Sequence, residues 1–235
     1  DRVFLEEPTD EAYRKRRELT TLVALVCTGE GPECFCLSAG VDPLQPSGAD
    51  ALLADVGEAY LLKPVSDKGA AIVDALRGLL SEPTEGDLST LNALVPAKQR
   101  DYPFDRVPVG YSELWNSPKW DDLGELCIGC SICTIVCPTC HCFDVEDERS
   151  GCSGKRFRAW DTCMSSCFTK MGTGENPRPT KRERVRQRFL HKLSYLRLKT
   201  GRIACTGCGR CGAQCPVGIG IEEVISDLAE MKVER

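Results

Sequence analysis

Two stretches of this chain share one cysteine spacing and one closing dipeptide. Cys127-x2-Cys130-x2-Cys133-x3-Cys137-Pro138 recurs as Cys205-x2-Cys208-x2-Cys211-x3-Cys215-Pro216. Closely spaced thiols of this kind wrap a loop around a small inorganic core, and the run is that of a 4Fe–4S cluster. Gly129 in the first run, and Gly207, Gly209 and Gly212 in the second, let the backbone come close. The closing proline fixes φ and suits the first turn of a helix, which carries the fourth cysteine away from its own loop. In two-cluster ferredoxins that fourth cysteine ligates the other cluster. The expected ligand sets are therefore crossed: Cys127, Cys130, Cys133 and Cys215 for one cluster, and Cys205, Cys208, Cys211 and Cys137 for the other. Structural zinc prefers closed tetrahedral sites of paired Cys-x2-Cys units and gives no reason for a doubled run ending in proline.

Sixteen cysteines in 235 residues would be a disulfide framework in a short secreted chain. Nothing here reads as an export signal, so a reducing, cytoplasmic location and metal-held cysteines are expected. The net charge of −5 and 42% apolar content describe a mildly acidic globular chain. No apolar run approaches the length of a membrane helix. The chain opens without an initiator Met inside an apolar stretch, Val3-Phe4-Leu5, which points to a missing N-terminal portion.

The cysteines fall into two groups. Cys27, Cys34 and Cys36 come early, none follows until Cys127, and thirteen lie between Cys127 and Cys215. The fold class expected is α+β: an N-terminal α/β region over residues 1–100, then a mainly helical ferredoxin-like dicluster domain over 112–235. A proline-punctuated linker is expected near 97–115. In the first region the pattern predicts a helix over 9–18, strands at 22–27, 52–55 and 59–63, and a helix over 67–80 carrying Ile72, Ala75, Leu76 and Leu79. In the second, Asp121–Leu126 leads into the first run. Thr180-Lys181-Arg182-Glu183 is a capping box opening a helix with Val185, Phe189, Leu193 and Leu196 on one face. Ile221, Val224, Ile225, Leu228 and Met231 mark a last helix.

Several strings around the runs carry a family resemblance. They are Cys137-Pro-Thr-Cys140-His-Cys142-Phe-Asp-Val, Trp160-Asp-Thr-Cys163, Gly174-Glu-Asn-Pro-Arg178, Arg184-x-Arg-Gln-Arg-Phe-x-His191-Lys192-Leu, and Cys27-x6-Cys34-Phe-Cys36 after Arg16-Arg17-Glu18. The chain resembles the iron–sulfur β subunits of cytoplasmic nickel–iron hydrogenases (sulfhydrogenases) and the corresponding iron–sulfur component of anaerobic sulfite reductase. The long spacer between the runs also resembles the helical ferredoxin domains of fumarate reductase and heterodisulfide reductase. The resemblance implies an electron-transfer subunit with no activity alone. It would relay electrons between a flavin-containing, NAD(P)H-linked subunit and a catalytic subunit, with nickel–iron hydrogenase preferred and sulfite reductase as the alternative. A third reading makes the chain a sulfur reductase acting at an N-terminal cluster.

Outside the runs, Cys27, Cys34 and Cys36, with Cys140 or Cys142, are candidates for a third 4Fe–4S cluster. Cys152 and Cys167 read as inert thiols. The basic segment 181–199 lacks the interleaved aromatics of a nucleic-acid surface, and the chain is net acidic. Arg182, Arg186 and Lys192 are instead expected to offset cluster charge and to meet an acidic partner. No nucleotide fingerprint and no Ser/His/Asp set is present.

Overall fold

A computed structural model describes residues 1–27, 31–45, 47–94, 100–110 and 112–231. The chain is α+β and divides into two compact units, residues 1–32 with 40–99, and residues 33–39 with 100–235.

In the first unit, helix α1 (Glu11–Leu19) starts at Asp10, whose carboxylate accepts the Tyr13 N–H at 3.0 Å. Its last carbonyls have no partner within the helix. Lys68 Nζ satisfies that end, donating to Glu18 O at 2.6 Å and to Thr20 O at 3.0 Å. Strand β1 (Val23–Leu25) runs parallel to β2 (Ala51–Asp55), and β3 (Tyr60–Pro64) pairs antiparallel on the other side of β2. Val26, Leu52 and Ala54 form a small core there. Helix α2 (Asp67–Ala75) is capped by Ser66 and gives way to a 3-10 turn at Arg77–Leu79. The helix expected over 67–80 therefore stops early, because Leu79 is 85% exposed and has no core to face. Helix α3 (Glu85–Ala93), opened by a capping box of Thr84 and Asp87, was hidden by a stretch of weak periodicity.

The second unit holds α4 (Ser112–Trp115), α5 (Lys119–Leu126), α6 (Ile132–Ile135), the hairpin β4–β5 (Phe143–Ser150 and Ser153–Trp160), and α7 (Lys181–Leu190). A π-helical turn at His191–Tyr195 joins α7 to α8 (Leu196–Thr200); α9 (Arg210–Ala213) and α10 (Ile221–Glu230) follow. Glu183 accepts the Thr180 N–H at 2.9 Å and bonds its hydroxyl, so the capping box is formed. Val185, Phe189 and Leu193 are buried with Trp120, Leu190 and the inner face of α10. Each such side chain contributes about 1.5–3 kcal/mol of burial. Gly124 brings α5 close to α7, since a Cβ there would sit 2.9 Å from Arg182 Cα.

Two expectations change. Residues 100–110 do not act as a linker: Phe104 and Val107 are buried in the second unit's core, so proline there punctuates a packed segment. The spacer between the runs is not helical throughout. Its first half is β4–β5, closed by a two-residue turn at Gly151 and Cys152. Most of that hairpin is exposed on both faces, so no alternating apolar signal marks it. Cross-strand charges hold it, with Arg156 bonding Asp147 twice at 2.7 Å and Lys155 meeting Glu148 at 2.7 Å.

Candidate metal centre

The duplication extends from the sequence into the backbone. Gly129 and Ser131 of the first run have φ of 74° and 64°, and their counterparts Gly207 and Gly209 have 66° and 64°. Each loop thus turns twice through the left-handed region, and each aims an N–H at its first sulfur. Gly129 N–H donates to Cys127 Sγ at 3.4 Å, and Gly207 N–H donates to Cys205 Sγ at 3.4 Å. A short helix follows each loop, α6 in the first run and α9 in the second.

These turns bring the two runs together in a crossed manner. One cavity is lined by Cys127, Cys130 and Cys133 of the first run and by Cys215 of the second, with Met164, Val185, Arg188, Phe189, Val217 and Ile219 around them. The other is lined by Cys205, Cys208 and Cys211 with Cys137, beside Lys192 and Ile221. None of the sixteen cysteines is in a disulfide. Four thiols around each cavity, with backbone N–H groups aimed at sulfur, form a donor set that suits a 4Fe–4S cluster. Among the described residues, no group of three or more His, Cys, Asp or Glu is gathered as for a single metal ion.

The surrounding charge agrees with anionic occupants. Arg188 and Lys192 are each only 3% exposed. Lys192 Nζ lies 3.1 Å from Cys137 Sγ, and Arg188 donates to Cys133 O at 3.1 Å. Among the described residues, no carboxylate forms an ion pair with either. Burial opposes both charges, yet both pKa values are raised, by the Cys133 and Cys211 sulfurs for Arg188 and by Cys137 and Cys140 for Lys192. A buried cation with no carboxylate beside it costs several kcal/mol unless negative charge is close, and the negative charge these two side chains face is that of the cysteine sulfurs lining the cavities. The Cys140 thiol and the Lys192 ammonium together draw the Cys137 thiol down to about 3, whereas burial pushes Cys205 up to about 11. Cys133 is also raised by burial, against the pull of Arg188.

Of the three cations expected to offset cluster charge, only Lys192 faces a cysteine of the runs. Arg182 pairs with Asp121 at 2.6 Å, and Arg186 lies over the Trp115 ring at 3.5 Å. Arg188 was missed, although Arg184, Arg188 and Lys192 recur every four residues beside the apolar stripe, and that spacing was legible. The basic segment is accordingly turned inward over much of its length, with Arg184, Arg186, Arg188 and Lys192 all buried.

Cys27 belongs to the first unit, while Cys34 and Cys36 belong to the second. There the Phe35 N–H donates to Gly207 O at 2.7 Å, which lays the Cys34–Cys36 backbone on the second loop. Cys140 and Cys142 lie at the base of the hairpin, with Cys140 against Cys137. The hairpin returns the chain so that Asp161 N–H donates to Cys142 O at 3.1 Å and Cys163 reaches Cys142. The Cys163 thiol and N–H hold Cys142 down to about 6, while Cys163 itself is raised. His141 and His191 have ring centres 5.3 Å apart, and burial, helped by His141, lowers His191 to about 4.

The close approach at the second loop carries a prediction. A Cβ at Gly207 would lie 2.6 Å from Cys36 Cα, whereas one at Gly129 would meet nothing within 4 Å. Gly129→Ala should cost only the left-handed backbone term, about 1–2 kcal/mol. Gly207→Ala adds a backbone collision and should cost distinctly more. Chemical denaturation of both variants with their iron content checks this, and equal losses would contradict it.

Comparison with known proteins agrees with the geometry. The model of the family described as a 4Fe-4S dicluster domain matches residues 126–219, which take in all eight cysteines of the two runs. No solved structure matches the chain. The chain is similar to sulfhydrogenase 2 subunit beta of Pyrococcus furiosus, with 31% identity over 235 residues, 98% of this chain and 69% of that one. On that similarity, the chain belongs to the family of iron–sulfur β subunits of sulfhydrogenases.

Proposed function

We propose that this chain is an electron-transfer subunit of a multi-subunit oxidoreductase. It holds two 4Fe–4S clusters, one on Cys127, Cys130, Cys133 and Cys215, and one on Cys205, Cys208, Cys211 and Cys137. The observation that carries this reading is the pair of four-cysteine cavities, each drawing three thiols from one run and one from the other. A bound 4Fe–4S cluster supplies a one-electron couple, with potentials across its class of about −700 to +450 mV. The chain's own residues hold the sulfurs rigidly, screen the cavities with apolar side chains and supply fixed positive charge through Arg188 and Lys192.

The partners are a flavin-containing, NAD(P)H-linked subunit on one side and a catalytic subunit on the other. The relative's name favours a hydrogenase over a sulfite reductase as the catalytic subunit. Cys130 is exposed, with Leu126 and Ile128 also exposed beside it, so the first cavity has a sulfur at the surface through which a docked partner could exchange electrons. No helix among the described residues is long and apolar enough to cross a membrane. The location proposed for the complex is the cytoplasm, where a reducing environment keeps so many thiols available to clusters. A third cluster, if held, would draw on Cys27, Cys34 and Cys36 with Cys140 or Cys142.

The test is to purify the chain anaerobically with its iron in place and to offer it NADPH, hydrogen, sulfite and polysulfide in turn. The chain alone should turn over none of them, and adding flavin and catalytic subunits should restore electron flow. Reduction or reoxidation at enzymatic rates without partners would contradict the relay role.

A further inference from the structure

We propose that Lys192 makes the cavity of the second cysteine run the higher-potential of the two sites, so that an electron taken up by this chain settles there. The inference rests on the cluster reading above and adds to it an asymmetry between two sites that a duplicated motif would otherwise make alike.

The shared features are close to identical. Each run offers one backbone N–H to its first sulfur at 3.4 Å, from Gly129 and from Gly207. Arg188 is also shared, since it donates to Cys133 O and its guanidinium faces the Cys211 sulfur of the other run. Lys192 is not shared. Its ammonium has three N–H groups, and all three have acceptors: Cys137 Sγ at 3.1 Å, Thr139 Oγ1 at 3.0 Å and Ala204 O at 3.3 Å. Its backbone is tied down as well, because Lys192 O accepts the Ala204 N–H at 2.8 Å, one residue before Cys205. Lys192 is buried within the π-helical turn at His191–Tyr195, and such turns are frequent at functional positions. Beside its cysteines and Arg188, the first cavity has mainly apolar walls, among them Met164, Val185, Phe189, Val217 and Ile219.

Uptake of an electron adds one unit of negative charge to a thiolate-bound cluster. The electron comes from the partner subunit, or from dithionite in a titration, and no bond of this chain breaks. A hydrogen bond or positive charge at a ligating sulfur favours the more negative state and raises the potential. Water at the exposed Cys130 helps the first site in the same direction. However, a full charge fixed against sulfur in a desolvated pocket acts with little dielectric screening, so Lys192 outweighs that help. Electrons would then exchange at the first cavity and rest at the second.

The experiment is a reductive titration followed by electron paramagnetic resonance, with the intact complex carrying wild-type chain, Lys192→Met, Lys192→Arg or Thr139→Val. Iron content is measured on every sample. In Lys192→Met one cluster's midpoint should move to more negative potential while the other stays. Lys192→Arg should restore most of it. Thr139→Val, which removes one anchor of the ammonium but leaves the charge, should shift the same cluster by less; this variant keeps the test open if Lys192→Met fails to fold. The cluster that moves should be the one lost on replacement of Cys137. Equal shifts of both midpoints, or no shift with iron intact, would overturn the proposal. Absence of iron from the wild-type chain would overturn the cluster reading itself, and the proposal with it.

Discussion

Replacing Cys137 is expected to abolish the cluster whose other ligands lie far downstream, and to leave the cluster of its own run standing. The cavity lined by Cys205, Cys208 and Cys211 includes Cys137, and the cavity lined by Cys127, Cys130 and Cys133 does not. Iron should fall from about eight to about four per chain. The Cys140 thiol faces Cys137 and could take its place, so the comparison is made in a Cys140→Ala background. Cys137→Ala and Cys205→Ala should then leave the same residual paramagnetic spectrum. Cys215→Ala and Cys127→Ala should share the other one. If Cys137→Ala instead matches Cys127→Ala, each run closes its own cluster and the crossed arrangement is wrong.

Removal of iron should unfold much of the second unit. With the cavities emptied, Arg188 would be a buried cation with no carboxylate beside it, costing roughly 3–5 kcal/mol, while Lys192 would keep only the Cys137 sulfur as its counter-charge. The Arg188 cost alone is a large fraction of the stability of a small domain. Holding eight cysteines around nothing also forfeits the binding free energy that organises such loops. Far-ultraviolet circular dichroism should therefore lose the signal of α7 to α10 when iron is chelated, while hydrogen exchange in β1 to β3 of the first unit changes little. The sign of the charge argument has its own control. Arg188→Met with Lys192→Met should stabilise the iron-free chain and destabilise the iron-loaded one. Destabilisation of both states by the same amount would mean that these side chains serve packing alone.

The paired loops were legible in the sequence because cysteine spacing is covalent geometry: once the runs repeat, the loops repeat, down to the matching left-handed turns. The capping box at Thr180 and the faces of α7 and α10 were legible for a similar reason, since 3.6-residue periodicity survives wherever a helix covers a core. The hairpin at 143–160 left no such trace, because a ribbon exposed on both faces needs no apolar alternation. Residues 100–110 misled for the opposite reason. Their prolines read as linker punctuation, while Phe104 and Val107 supply burial that composition does not reveal. Arg188 was hidden within a run of basic residues, where a charged side chain reads as solvated until its neighbours are known. Cys163 lay in a string of the family resemblance, but its place beside Cys142 depends on the hairpin that brings it back.

The central claim is that two 4Fe–4S clusters sit on crossed cysteine sets and carry single electrons. Its most direct measurement combines iron, acid-labile sulfide and zinc analysis with a reductive titration of the anaerobically purified chain. About eight irons and about eight sulfides are expected, with two one-electron steps. A yield of about twelve of each would add a third cluster to the same account. Stoichiometric zinc with little iron, or iron that accepts no electron across the range of such clusters, would contradict it.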